Sequence, residues 1–260
     1  MADTPDHPNG DPSPEPTLDI DRHLKYWKMC LQAPLPNHYL SNEGVRMTLA
    51  YFIVNSIRIL TPTPTTPTST TTSPSPKPPL IPPSDHRRLR QWVLSHQQPT
   101  GGFAPSSTLL SPPTIPTTTT ATTTATSQAE PDTADGDTTT TTTGLANLPA
   151  TLFALQLLAL LADDGDEERA FEGVDRVGIL RWLRRLQRAD GSFGEVVSWM
   201  PGKGWFIGGG YDMRYCYIAV AVRWMLRGGL EEGMEGWVED VDTGGLERYI
   251  LGSQVCCCCC

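Results

Sequence analysis

The chain has 260 residues, a formal net charge of −9 and a pI near 5.0, a balance that argues against nucleic acid as a partner because neutralising phosphates needs clustered Lys and Arg. Of its 7 Cys, five form the run Cys256 to Cys260 and leave Cys30 and Cys216 isolated, so there is no disulfide framework. Long Thr, Pro and Ser tracts lack the apolar side chains that offset ordering entropy, so the length overstates the foldable part.

Met1 to Glu15 is acidic and proline-rich without an apolar core of its own, so no secretory signal is read there and a cytoplasmic location is expected. Residues 1–17 read as a disordered N-terminus. Asp21 to Leu31 then carries Leu24, Trp27 and Leu31 at helical spacing, and Asn42 to Leu60 carries Val45, Leu49, Phe52, Ile53, Ser56 and Ile57 on one face. Ser41-Asn42-Glu43-Gly44 supplies an N-cap for this second helix.

Residues 61–83 are almost wholly Thr, Pro and Ser, and residues 111–143 are dominated by Thr, with Ala, Pro and Asp. Both read as low-complexity insertions between helices. Between them lies the first copy of a repeat, Trp92-Val93-Leu94-Ser95-His96-Gln97-Gln98-Pro99-Thr100-Gly101-Gly102-Phe103. The second copy is Trp182-Leu183-Arg184-Arg185-Leu186-Gln187-Arg188-Ala189-Asp190-Gly191-Ser192-Phe193, in register without a gap. Each copy predicts an amphipathic helix ended by a glycine turn, with the Phe folding back onto the helix face. A repeat of this kind cannot bury its apolar face alone and needs neighbours.

Ala150 to Ala162 is too short to span a bilayer and reads as a helix buried on nearly every side. The loop Asp163-Asp164-Gly165-Asp166-Glu167 loosely resembles a diphosphate-binding acidic motif, although solvated carboxylates are the commoner case. Arg181, Arg184, Arg185 and Arg188 are read as a solvated face opposite Trp182, Leu183 and Leu186. Gly202-Lys203-Gly204 lacks the spacing of a phosphate-binding loop and sits in an insertion. Asp212 to Leu226 places Tyr215, Ile218, Ala219, Val222 and Leu226 on one face, with Gly228-Gly229 as its stop. Asp240-Val241-Asp242-Thr243 is a second short acidic loop. A third repeat copy begins at Leu246 and reaches Gln254 before the chain passes into Val255 and the cysteine run, so the sequence reads as stopping inside a repeat. Nothing shows sustained period-two alternation. The expected fold class is all-α, with mostly apolar inner helices wrapped by amphipathic outer ones.

Arg22-His23-Leu24-Lys25-Tyr26-Trp27 with Cys30-Leu31-Gln32, then Arg46-Met47-Thr48-Leu49-Ala50-Tyr51-Phe52, Leu186 to Phe193, and Asp212-Met213-Arg214-Tyr215-Cys216-Tyr217 together resemble the β subunits of protein prenyltransferases, most closely the type I geranylgeranyltransferase. The resemblance implies an α-α toroid, here incomplete over residues 18–254, with an apolar funnel for the isoprenoid. It also implies transfer of geranylgeranyl from geranylgeranyl diphosphate to the Cys of a C-terminal Cys-aliphatic-aliphatic-X motif, as in small GTPases. The implied partner is a prenyltransferase α subunit, and no transmembrane segment is expected. Zinc is the implied cofactor, with magnesium as a further option.

Thr48 falls where the family sets isoprenoid length by side-chain size, a small residue leaving room for the longer chain. Read without the family, it is an ordinary polar spot on an amphipathic helix. Arg214 matches an Arg placed near lipid and peptide, its other reading being a helix N-terminal Arg paired with Asp212. Tyr217 matches an aromatic of the lipid wall. Asn147 matches a position that is His in some members. The family's zinc ligands and diphosphate-holding residues have no counterpart in the sequence, so this chain is expected to be inactive as it stands. Cys256 to Cys260 lack the spacing of a metal site; residues 255–260 read as an anomalous tail, or else as a terminal Cys-Cys acceptor. The rival readings are a farnesyltransferase or Rab geranylgeranyltransferase β subunit, a terpene-cyclase-like toroid, and a non-catalytic helical fragment.

Overall fold

A computed structural model describes residues 17–61, 81–107, 146–162, 169–200 and 202–254. Most of both Thr/Pro tracts, the acidic loop at 163–168 and the cysteine tail lie outside the described residues. The elements in chain order are α1 (Ile20–Gln32), a 3-10 helix (Asn37–Val45), α2 (Arg46–Leu60), α3 (Pro83–Leu94), α4 (Leu148–Leu160), α5 (Arg176–Arg185), β1 (Val196–Met200), β2 (Gly204–Gly208), α6 (Met213–Arg227) and α7 (Thr243–Gly252).

Short polar side chains start most of these helices by answering an amide that has no partner within the helix. Asp19, Asn147, Asp175, Asp212 and Asp242 each accept from a backbone N–H in the first turn of α1, α4, α5, α6 and α7. Pro83 opens α3, where a missing N–H costs nothing.

Two layers result. Helix α4 packs against α2 on one side and α6 on the other, while α1, α3 and α5 back α2, α4 and α6 in turn. Burial follows the layer. Along α4, Leu148, Ala150, Thr151, Leu152, Ala154, Leu155, Leu157 and Leu158 are all buried, as its largely apolar sequence predicts. The outer α5 buries only Ile179, Leu180, Trp182 and Leu183.

The repeat copies fold alike. Gln98 N donates to Gly102 O and Ala104 N to His96 O; 90 residues on, Arg188 N donates to Ser192 O and Gly194 N to Leu186 O. Phe103 and Phe193 are fully enclosed. Each turn then locks onto the next outer helix. Asp175 N donates to Gln97 Oε1 at 2.9 Å, and Asp242 N donates to Gln187 Oε1 at 2.7 Å. The turn glycines Gly101 and Gly191 sit at φ +98° and +90°, and a Cβ on either would strike the carbonyl of Gly178 or Gly245 in that next helix. Phe103 also bridges to Asn147, whose N–H donates to Phe103 O, so the chain leaves and returns at one point around residues 104 to 146.

Three sequence expectations change. Helix α2 begins at Arg46 behind the 3-10 helix, and no side chain caps it; Met47 N donates instead to Pro105 O of the first repeat turn. The tract assigned to 61–83 ends sooner, because Ile81 is buried and Pro83 belongs to α3. The insertion around Gly202-Lys203-Gly204 is the turn of an antiparallel hairpin pairing Val197 with Ile207 and Ser198 with Phe206. Gly202 and Gly204, at φ +80° and +75°, supply its reversal. Its strands are too short to show a period of two in the sequence.

Candidate functional site

The N-terminal ends of the inner helices meet. Met47 at the start of α2 is tied to Pro105, Leu148 N at the start of α4 donates to Glu195 O, and Tyr215 Oη in the first turn of α6 donates to Glu195 Oε2 at 2.9 Å. Burial and the neighbouring Glu195 carboxylate together raise the Tyr215 phenol pKa, so Tyr215 remains a donor. Asn147 is at this end too, but its side chain is spent capping α4 through Ala150 N at 2.7 Å.

Arg214 lies at the same end. Its Nε and Nη2 donate to Asp212 Oδ2 at 2.9 and 2.6 Å, and its N–H donates to Asp212 Oδ1 at 2.8 Å. The guanidinium holds the Asp212 carboxyl below its ordinary pKa. The Arg214 side chain is nevertheless 85% exposed, so the pair is presented to solvent.

Beyond this polar end the inner helices show apolar surface to solvent. On α6, Met213, Tyr217, Val220 and Trp224 are exposed at helical spacing, on the side away from the buried Cys216, Ala219, Val222 and Leu226. On α2, Phe52 is exposed, and its ring lies 5.7 Å from that of Phe153 on α4; Tyr51 lies 5.2 Å from the same ring. Thr48, half-buried, stands one helical turn before Tyr51 and Phe52 on the same face of α2. The structure thus brings Thr48 beside the Tyr51, Phe52 and Phe153 cluster on α2 and α4, and Arg214 beside Tyr217 on α6.

The stripe on α6 escaped sequence reading because only its core-facing side was sought. The signal was present: a helix with apolar residues on both faces leaves one of them bare unless something covers it.

The acidic motif at Asp240 to Thr243 has structural duties. Asp240 accepts from Arg223 and is paired with Arg227 at 3.2 Å, and Asp242 caps α7. Partial burial would raise the Asp240 pKa, but the hydrogen bonds from Arg223 and Val241 N–H bring it below its ordinary value. Asp163 to Glu167 fall outside the described residues. Of the arginines expected to form a solvated face, Arg181, Arg184 and Arg185 are exposed, while Arg188 is half-buried just past α5. Arg184 pairs with Glu239, and Arg188 donates to Phe193 O and Gly209 O and stacks on Tyr211. The zinc that the resemblance implies finds no donor set: among the described residues no three of His, Cys, Asp and Glu converge.

A layered helical array with glycine-turn repeats and a bare apolar inner face has a known counterpart. The Prenyltransferase alpha-alpha toroid domain family matches residues 18–256. The chain belongs to this family. It is 26% identical over 242 residues to the geranylgeranyl transferase type-1 subunit beta of Arabidopsis thaliana, covering 93% of this chain and 50% of that protein. In fold it is similar to Candida albicans protein geranylgeranyltransferase-I complexed with GGPP. That likeness has a TM-score of 0.56 and 17% identity, covering 91% of this chain and 51% of the other. The chain therefore spans about half the length of each of these relatives. Among its described helices, none is long and apolar enough to cross a membrane.

Proposed function

We propose that this chain supplies about half of the lipid-binding ring of a type I protein geranylgeranyltransferase β subunit. The ring would work beside an α subunit to transfer geranylgeranyl from its diphosphate to a Cys in a C-terminal Cys-aliphatic-aliphatic-X sequence. The observation that carries the reading is the bare apolar surface of the inner helices, Phe52 beside the half-buried Phe153 on one side and Tyr217, Val220 and Trp224 on the other. Such surface is costly on a folded chain unless it has an apolar occupant. A long hydrocarbon suits it better than a compact ligand because the α6 stripe runs for three helical turns.

The chain's own residues then have distinct tasks. The aromatic rings exclude water from the lipid, and Thr48 leaves room at one end of the α2 wall. Arg214, steadied by Asp212 at the converging helix N-termini, offers a cation to an anionic group of lipid or peptide. Tyr217, one turn further on, lines the wall beside it. Zinc in such an enzyme would lower the pKa of the acceptor thiol.

The test is a competition between geranylgeranyl and farnesyl diphosphates in the assembled enzyme. Thr48→Trp should shift preference toward the shorter lipid by roughly tenfold or more, since overpacking a preformed cavity costs about 1–3 kcal/mol. An unchanged product ratio would remove Thr48 from the lipid wall.

A further inference from the structure

The hairpin β1–β2 forms a second feature, separate from the apolar inner face. With the end of α5 it encloses an open cleft of about 500 Å³ lined by Arg185, Val197, Trp205, Phe206 and Ile207. Gly194 makes the arrangement possible, because a Cβ there would strike Ile207 and the Gly208 carbonyl. Val197 and Ile207, directly opposite each other, form the apolar floor. Trp205 stays 56% exposed beside them.

Arg185 differs from Arg184 beside it and from Arg188 just past α5. Arg184 has Glu239 and Arg188 has backbone carbonyls, whereas the Arg185 guanidinium lies over the Trp205 ring at 4.8 Å and has no carboxylate partner among the described residues. Stacking on an indole fixes a guanidinium without using its five N–H donors, which remain free for a planar anion. The sheet has two strands, so each strand keeps one edge that can pair with an added extended segment.

We propose that this cleft docks an extended acidic peptide segment of a protein partner, with a carboxylate on Arg185 and an aliphatic side chain against Trp205. The open edge selects an extended backbone, the free guanidinium selects a carboxylate, and the Val197, Trp205 and Ile207 surface selects an aliphatic neighbour to it.

The test is a fluorescence anisotropy titration of the full chain with a fluorescein-labelled peptide of alternating Glu and Val, alongside versions in which Gln or Lys replaces Glu. The Glu peptide should bind, and raised salt should weaken it. The Gln version should bind about tenfold more weakly, the expected worth of a charge-assisted hydrogen bond. R185Q should weaken the Glu peptide about as much as that exchange does, W205A should weaken both peptides, and R181Q on the same helix should leave binding unchanged. Circular dichroism of each variant separates lost binding from lost folding. Equal binding of the Glu and Gln peptides would overturn the proposal, as would an R181Q effect matching that of R185Q. Arg185-dependent binding of phosphatidylserine vesicles or oligouridylate in place of the peptide would also overturn it.

Discussion

Gln187 and Asp242 hold each other by two hydrogen bonds, Asp242 N donating to Gln187 Oε1 at 2.7 Å and Gln187 Nε2 donating to Asp242 O at 2.8 Å. One side-chain amide thereby fixes the backbone of the residue that caps α7. Gln187→Ala should destabilise the chain by about 1–2 kcal/mol, read as a fall in the urea midpoint at constant slope. Gln97→Ala removes a single bond, to Asp175 N, and should cost less. The two sites share no partner, so the double variant should show the sum.

Gly191 tests the same junction sterically. At φ +90° with the Gly245 carbonyl against its missing Cβ, Gly191→Ala should cost about 3 kcal/mol or more and lower the yield of folded protein. Gly233→Ala has a similar φ of +92° but open space around it, and should cost only about 1 kcal/mol. Thermal unfolding of the pair separates backbone strain from collision.

A pH dependence centres on His96, which is fully enclosed. Its Nδ1–H donates to Trp92 O at 2.7 Å and its Nε2 accepts from Ser107 Oγ at 3.3 Å. Burial lowers its pKa from the ordinary 6.5, the Trp92 carbonyl offsetting this only in part. The unfolded chain takes up a proton near 6.5 and the folded chain only at lower pH. His96 therefore contributes full stability above 6.5 and loses it as pH falls below that value. His96→Gln should flatten this slope in urea titrations between neutral and mildly acid pH. Asp190, held low by Ser192, and Asp240 act in a separate window below their ordinary 3.8.

The exposed stripe of α6 predicts a dissociation of stability from ligand capacity. Trp224 is 76% exposed, so Trp224→Gln should change unfolding free energy by no more than about 0.5 kcal/mol. Together with Tyr217→Gln it should markedly reduce binding of an apolar fluorescent dye, while far-ultraviolet circular dichroism stays unchanged.

Helices were legible where burial is one-sided or complete: Ile179, Trp182 and Leu183 announce α5, and the run from Leu148 to Leu158 announces α4. Gly228 as the stop of α6 was equally plain. What escaped depends on distant partners. Val45 gives no sign that Pro105 will receive the Met47 amide of α2, and nothing around Arg185 in sequence announces the Trp205 ring 20 residues on. Of the candidate site, Thr48, Arg214 and Tyr217 are proposed from the resemblance, whereas the exposure of Val220 and Trp224 was knowable from helical spacing once both faces of α6 are read. Asp240, read only as part of a short acidic loop, is a clamp for Arg223 and Arg227, because a carboxylate's role is set by the cation that folding brings to it.

The bridge between Phe103 and Asn147 works as a neck. Backbone holds Phe103 and Asn147 together, and just past the bridge Pro105 O still accepts from Met47 N of α2. For a flexible segment tied in this way, closure entropy grows only as the logarithm of length, and a doubling costs about 0.6 kcal/mol. Added length between two ends fixed in this way therefore costs the core little closure entropy. Such a neck is where a lineage can accumulate low-complexity sequence without weakening the repeats on either side.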